Sequence, residues 1–231
     1  MITKVVEELD LHQILKLCIP KFNSYPYYLS LAFSLYFLYR DKSRFWRITN
    51  LYMVIVVLTQ IIARYSAKMY HTNIVTYNVF IIFEISYITY AFYILLNHYI
   101  RIKNWLIGIY VGTMIIYATY TYLYGLNVYN AFTISLASVI FVVYSLMYFY
   151  LLLKDENYID LSNHPTFWWV GGTLIFYFGS TLANFFDDIA QHVYFGKYSV
   201  RTIIYITLIF FLYAFWAYSF VCRARQRKLS H

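Results

Sequence analysis

Seven long apolar runs, separated by short polar loops, occupy most of the chain and leave it very few architectures to adopt. Within a hydrocarbon layer every backbone N–H and C=O must be satisfied by the protein itself, so only helices or a closed barrel can cross it. The runs are continuous and lack the alternation, over about ten residues, that a barrel strand shows, which selects helices. The predicted spans are Phe22 to Tyr39, Arg47 to Tyr65, Ile74 to Leu96, Trp105 to Tyr124, Ala131 to Leu153, Thr166 to Phe186 and Thr202 to Val221. All but the first come near the ~20 residues an α-helix needs to cross about 30 Å of hydrocarbon. The first has a short apolar core, Tyr25 to Tyr39, because Pro20 and Lys21 bar a smooth extension backwards. Without it, six spans would bring both termini to one side.

Composition agrees with this reading. Hydrophobic residues make up 62% of the 231 positions and charged residues only 12%, where a soluble domain would carry about a quarter. The expected fold class is therefore all-α, a polytopic transmembrane bundle of seven spans. Its length suits a single helical domain, residues 22–222, with no room for a second. A net charge of +8 does not point to nucleic acid, because the cations sit in short loops and near the C-terminus. Acidic residues at Glu7, Glu8 and Asp10 stand where a signal peptide needs a basic leader, so no removed leader is expected. Cys18 and Cys222 alone make neither a disulfide framework nor a metal-binding spacing.

Lys and Arg set the expected orientation, since cytoplasmic loops collect them. One side gathers Arg40, Lys42, Arg44, Arg47, Arg101, Lys103, Lys154 and the cluster Arg223, Arg225, Arg227 and Lys228. The other has Lys4, Lys16, Lys21, Arg64, Lys68, Lys197 and Arg201. The bias places the N-terminus outside and the C-terminus inside. All five Trp then fall in the inner half or at the inner interface, where amphipathic rings anchor. Residues 1–21 read as an amphipathic helix lying on the outer interface, and 223–231 as a basic cytoplasmic tail able to bind anionic headgroups or a partner.

Only one of the ten acidic residues falls inside a predicted span. Glu84 lies near the middle of the third, and an ionisable group at that depth asks for a partner, a wet cavity or a function. Tyr77 and Tyr87 fall near its helical face, and two phenols can donate hydrogen bonds to a carboxylate. Polar residues gather in the outer half, with Gln60, Asn78, Ser180 and Asn184 among them, so a polar pocket open to the outer face is expected. The candidate ligand contacts are Glu84, Tyr77, Tyr87, Asn78, Gln60, Ser180 and Asn184. The competing reading is a neutral, hydrogen-bonded Glu84 that fixes helix packing.

Other chemistries find little support. Asp187, Asp188 and His192 read as solvated loop charges beside Lys197 and Arg201 rather than as a metal site. No Lys in the seventh span can form a retinal Schiff base, and no nucleophile, base and orienting group stand out, so neither enzyme chemistry nor a cofactor is expected. Seven Gly and three Pro give little sign of the broken helices found in many transporters. Gly108 and Gly112 form a GxxxG step that can serve bundle packing or a homo-oligomer.

The stretch from Tyr77 to Glu84 with Tyr87, and the stretch Pro165-Thr166-Phe167-Trp168 leading to Gly172 and Tyr177-Phe178-Gly179-Ser180, carry a resemblance. They resemble small seven-helix membrane proteins of Bacteroidota often encoded beside sensor histidine kinases. That resemblance implies a multi-pass protein of the inner (plasma) membrane with a signalling or accessory role and a cytoplasmic signalling partner. A channel, membrane effector or transporter with Glu84 lining the path is the other expectation.

Overall fold

The computed structural model describes residues 24–155, 160–186, 193–195 and 198–229. The predicted amphipathic helix at 1–21, Cys18, and the loop residues Asp187, Asp188, His192 and Lys197 lie outside them. The described residues form seven helices: α1 (Tyr25–Leu38), α2 (Arg44–Tyr70), α3 (Ile74–Leu96), α4 (Lys103–Tyr124), α5 (Ala131–Lys154), α6 (Pro165–Phe185) and α7 (Val200–Leu229). A two-residue antiparallel ladder pairs Tyr194 with Ser199 and Phe195 with Tyr198 just before α7.

Five of these helices, α2, α3, α4, α5 and α7, are long and apolar enough to cross a membrane. The other two differ for separate reasons. α1 has 14 residues, a rise of only about 21 Å at 1.5 Å per residue. Pro26 sits in its first turn, where its missing N–H costs no helical bond. α6 has 21 residues, but Gly, Trp and polar positions dilute its hydropathy. It packs between α5 and α7, and a helix covered by protein need not be apolar all round.

Neighbouring helices close into a ring in the order α1, α2, α3, α5, α6, α7 and back to α1, with α4 outside it against α3 and α5. The tightest seam is between α6 and α7. A Cβ at Gly172 would lie 2.7 Å from Phe215 Cβ and 3.2 Å from the Leu212 carbonyl oxygen, so only glycine permits this approach. Gly108 and Gly112, by contrast, have open space where their side chains would be. The GxxxG step therefore faces away from the bundle.

An aromatic layer fills the ring below its mid-depth. Tyr52 stacks on Tyr87 at 3.8 Å and Trp169 on Trp216 at 5.3 Å, while Tyr213 meets Trp216 edge-on. The Trp216 indole N–H donates to the Trp169 carbonyl at 3.1 Å. Trp46, Trp169 and Trp216 are almost wholly buried. They are core residues of the lower half rather than interfacial anchors; Trp105, about half exposed, is placed to anchor.

At the end where α7 finishes, called here the lower end, the basic cluster Arg223 to Lys228 is helical. α7 continues as helix to Leu229. Arg223 forms an ion pair with the fully buried Asp41 carboxylate, Nε to Oδ2 at 2.8 Å, and Arg227 approaches the same oxygen at 3.6 Å. The Arg227 guanidinium also donates to the Phe37 carbonyl. Arg225 and Lys228 remain exposed. Asp41 further accepts from the Ser43 N–H, so one carboxylate fixes the α1–α2 turn to the end of α7.

Two consequences can be measured by thermal unfolding in detergent. Asp41→Asn is expected to cost on the order of 2 kcal/mol, below the 3–5 kcal/mol of fully buried pairs because the arginines are partly solvated. Gly172→Ala is expected to cost about 1–3 kcal/mol through overpacking, while Gly108→Ala leaves the midpoint unchanged.

Candidate functional site

Two cavities open between the upper halves of the helices, at the end opposite Asp41. The larger, about 470 Å³, lies among α1, α2, α3 and α7 and is lined by Ser24, Gln60, Tyr77, Arg201 and Tyr205. The smaller and more enclosed, about 200 Å³, lies among α3, α5, α6 and α7 and holds Glu84, Ser138, Tyr177, Ser180 and Asn184. Arg201 and Tyr205 border both. The larger falls in the range of about 300–1,000 Å³ usual for small-molecule sites, and the smaller lies below it.

Helical register explains the convergence. Tyr177, Ser180 and Asn184 follow one another at three and four residues on α6, and Arg201 and Tyr205 at four on α7, so each set shares a face. The short ladder before α7 ends where Val200 N–H donates to the Val193 carbonyl, and this delivers Arg201 into the first turn of α7. The Arg201 guanidinium carbon lies 5.8 Å from the Tyr205 ring centroid.

Glu84 does have a phenol donor, but from a different helix than expected. Tyr177 donates its hydroxyl to Glu84 Oε1 at 2.7 Å. Tyr87 points away into the aromatic layer and donates to Thr49 Oγ1 at 3.0 Å. Tyr77 lines the larger cavity with Gln60, above Glu84. Asn184 bridges three helices, donating to Ser135 Oγ at 3.2 Å and accepting from the Tyr205 hydroxyl at 2.6 Å.

Asn78 serves the loop rather than either cavity. Its amide nitrogen donates to the Leu126 and Val128 carbonyls, each at 2.8 Å, and its Oδ1 accepts from the Asn130 N–H at 3.0 Å. Asn130 in turn caps α5 by accepting from the Thr133 N–H. The Tyr117 hydroxyl closes on the Asn78 carbonyl at 3.0 Å. Gly125, at φ +78°, supplies the left-handed residue that lets α4 end and this loop begin.

The loop contributes Tyr129 to the smaller cavity. Its ring is partly exposed while its phenol is desolvated, which pushes the pKa up to about 12; nearby Glu84 adds to the rise and Arg201 opposes it. Tyr129 therefore stays a neutral hydrogen-bonding group at neutral pH. The floor beneath Glu84 is the aromatic layer of Tyr52, Tyr87, Trp169 and Trp216.

The structure thus gathers Glu84, Ser180 and Asn184 around one cavity and Gln60 and Tyr77 around the next. It does not bring Tyr87 or Asn78 to either. Tyr177, Arg201, Tyr205 and Tyr129 join the site without having been singled out as contacts. The three-and-four spacing through Tyr177 was a usable signal, and so was a lone Arg one turn before a Tyr at the start of an apolar run. Among the described residues no cluster of three His, Cys, Asp or Glu has metal-binding geometry.

A second polar recess of about 350 Å³ sits at the lower end among Ser43, His98, Tyr148, Asp155, His164 and Thr166. Burial holds the His164 imidazole below its ordinary pKa. The aromatic layer lies between this recess and Glu84. No protein-family model, no curated protein and no solved structure matches the chain.

Asn78→Leu is expected to destabilise the protein by about 2–4 kcal/mol, since two carbonyls and one N–H lose their partner in a buried setting at about 1–3 kcal/mol each, less what water recovers at the loop. Ser180→Ala, which removes a hydroxyl bonded only within its own helix, should shift the unfolding midpoint far less. Thermal unfolding of the two variants side by side checks the contrast.

Proposed function

We propose that this chain is a seven-helix membrane sensor or accessory signalling subunit, its upper cavities facing outward and its lower end facing the cytoplasm. One observation carries the reading. Polar side chains converge on a recess that starts at the upper surface and ends on an aromatic layer directly beneath Glu84. A dead-ended polar recess suits binding, whereas conduction or transport along Glu84 needs a polar path that continues downward. The resemblance to membrane proteins encoded beside sensor kinases points the same way.

In this reading a small polar ligand enters beside Gln60 and Tyr77 and settles between Arg201 and Glu84. Glu84 accepts a hydrogen bond or pairs with a ligand cation, Arg201 meets an acceptor or anion, and Asn184, Tyr129 and Tyr205 fix orientation. These contacts come from α3, α6, α7 and the 125–130 loop, so a bound ligand favours the arrangement of helices that brings them together. Signalling requires that the ligand prefer one of two arrangements. The exposed Arg225 and Lys228 and the loops of the lower end present the change to a cytoplasmic partner.

Glu84→Gln keeps an acceptor for Tyr177 and should fold normally while losing the charge. Thermal-shift measurements with a panel of amino acids and small amines are expected to find a stabilising ligand for the unmodified protein. Its effect should drop at least about ten-fold in apparent affinity with Glu84→Gln or Arg201→Gln, the loss of one charge-assisted hydrogen bond. A shift that survives both substitutions would contradict the site. A Glu84-dependent ion flux in liposomes would favour the channel reading instead.

A further inference from the structure

A concavity larger than either of the cavities above faces sideways. It measures about 760 Å³ and runs between α2 and α4 with α3 as its base. α2 and α4 both lean on α3 without packing closely on each other. Its walls are almost wholly apolar, and residues such as Leu51, Phe83 and Ile107 remain about half exposed along it. In its upper part a hydrogen bond between Ser86 Oγ and the Tyr110 hydroxyl, 3.0 Å, ties α3 to α4.

Its dimensions and charge identify an occupant. Along α3 the groove extends from Tyr93 to Phe83, ten residues or about 15 Å of rise, which is half the ~30 Å thickness of a hydrocarbon core. It therefore covers one leaflet, from the lower interface to mid-depth. At its lower mouth stands Lys103, the first residue of α4, and Arg47 lies one turn below Leu51 on α2. Both cations are exposed. A spanning helix of a second copy matches it poorly, because such a helix runs the full ~30 Å of hydrocarbon, twice the length of the groove, whereas one acyl chain occupies a single leaflet. The open Gly108 and Gly112 face lies on the opposite side of α4 from Lys103, Ile107 and Tyr110 by helical register, so a helix docked there would leave the groove open.

We propose that this groove is a binding site for an anionic phospholipid of the leaflet at the lower end. An acyl chain lies along Leu51, Thr89 and Ile107, and the phosphate sits between Arg47 and Lys103. The site is independent of the upper cavities. It differs from general headgroup attraction by the basic cluster of α7, of which Arg223 and Arg227 are already engaged with Asp41. Tyr52 and Tyr87 form part of the groove wall and also belong to the aromatic layer, so the bound chain packs directly against the core.

Native mass spectrometry of the purified chain, offered phosphatidylglycerol or phosphatidylcholine with identical acyl chains, tests the proposal. One phosphatidylglycerol should be retained about five-fold or more in preference, the worth of one interfacial cation. Lys103→Glu should abolish the preference. Leu51→Trp, at an exposed wall position, should reduce retention of both lipids by filling the groove. Gly112→Ile, on the far side of α4, should change neither, and helicity with thermal unfolding verifies the fold of each variant. Equal retention of the two lipids, a preference that survives Lys103→Glu, or retention unaffected by Leu51→Trp in folded protein would overturn it.

Discussion

The approach of α6 to α7 at Gly172 governs the interior of the bundle. With a glycine there, the Phe215 side chain and the Leu212 carbonyl close onto the α6 backbone, and Trp169 and Trp216 are held face to face across the seam. That stacked pair, extended by Tyr52 and Tyr87 from α2 and α3, forms a layer which water has little reason to enter. Above it the same two helices present Tyr177, Ser180 and Asn184 on one side and Arg201 and Tyr205 on the other. One close helix contact therefore produces both the closed floor and the polar walls.

A low-dielectric interior makes each polar group inside it dependent on a partner. Asn78 answers this with three hydrogen bonds to the 126–130 loop and so holds the upper rim. Asp41 answers it with Arg223 and Arg227 and so closes the lower end. Glu84 answers it with Tyr177 inside a cavity rather than a packed seam. The first two are structural pins, while the third keeps space beside it. That difference in surroundings, more than the charge itself, makes Glu84 the candidate site.

Much of the architecture was legible in hydropathy alone. α3 occupies Ile74–Leu96 as its apolar run predicts, and α4, α5 and α6 differ from expectation by at most two residues at either end. α2 and α7 run longer, to 27 and 30 residues, because helical hydrogen bonding continues where charged residues leave the hydrocarbon. The depth of Glu84 was legible for the same reason. Its partner was not: Tyr177 lies 93 residues away, and no local period reveals which of many phenols crosses the bundle. Asp41 and Arg223 are 182 residues apart, so nothing local shows that two cations of a cluster read as binding headgroups or a partner are engaged with Asp41. Aromatic residues misled in the other direction, since Trp46, Trp169 and Trp216 fit an interfacial belt by position and a core by contact.

The central claim is a recess that water enters from the upper side and cannot pass. Cysteine accessibility in intact cells tests it most directly, with native Cys18 and Cys222 replaced and single cysteines placed at Ser180 and Thr173, one above the aromatic layer and one within it. A membrane-impermeant thiol reagent added outside should label Ser180→Cys and leave Thr173→Cys unlabelled from either side. Labelling of Thr173→Cys, or labelling of Ser180→Cys only from the cytoplasmic side, would contradict the account.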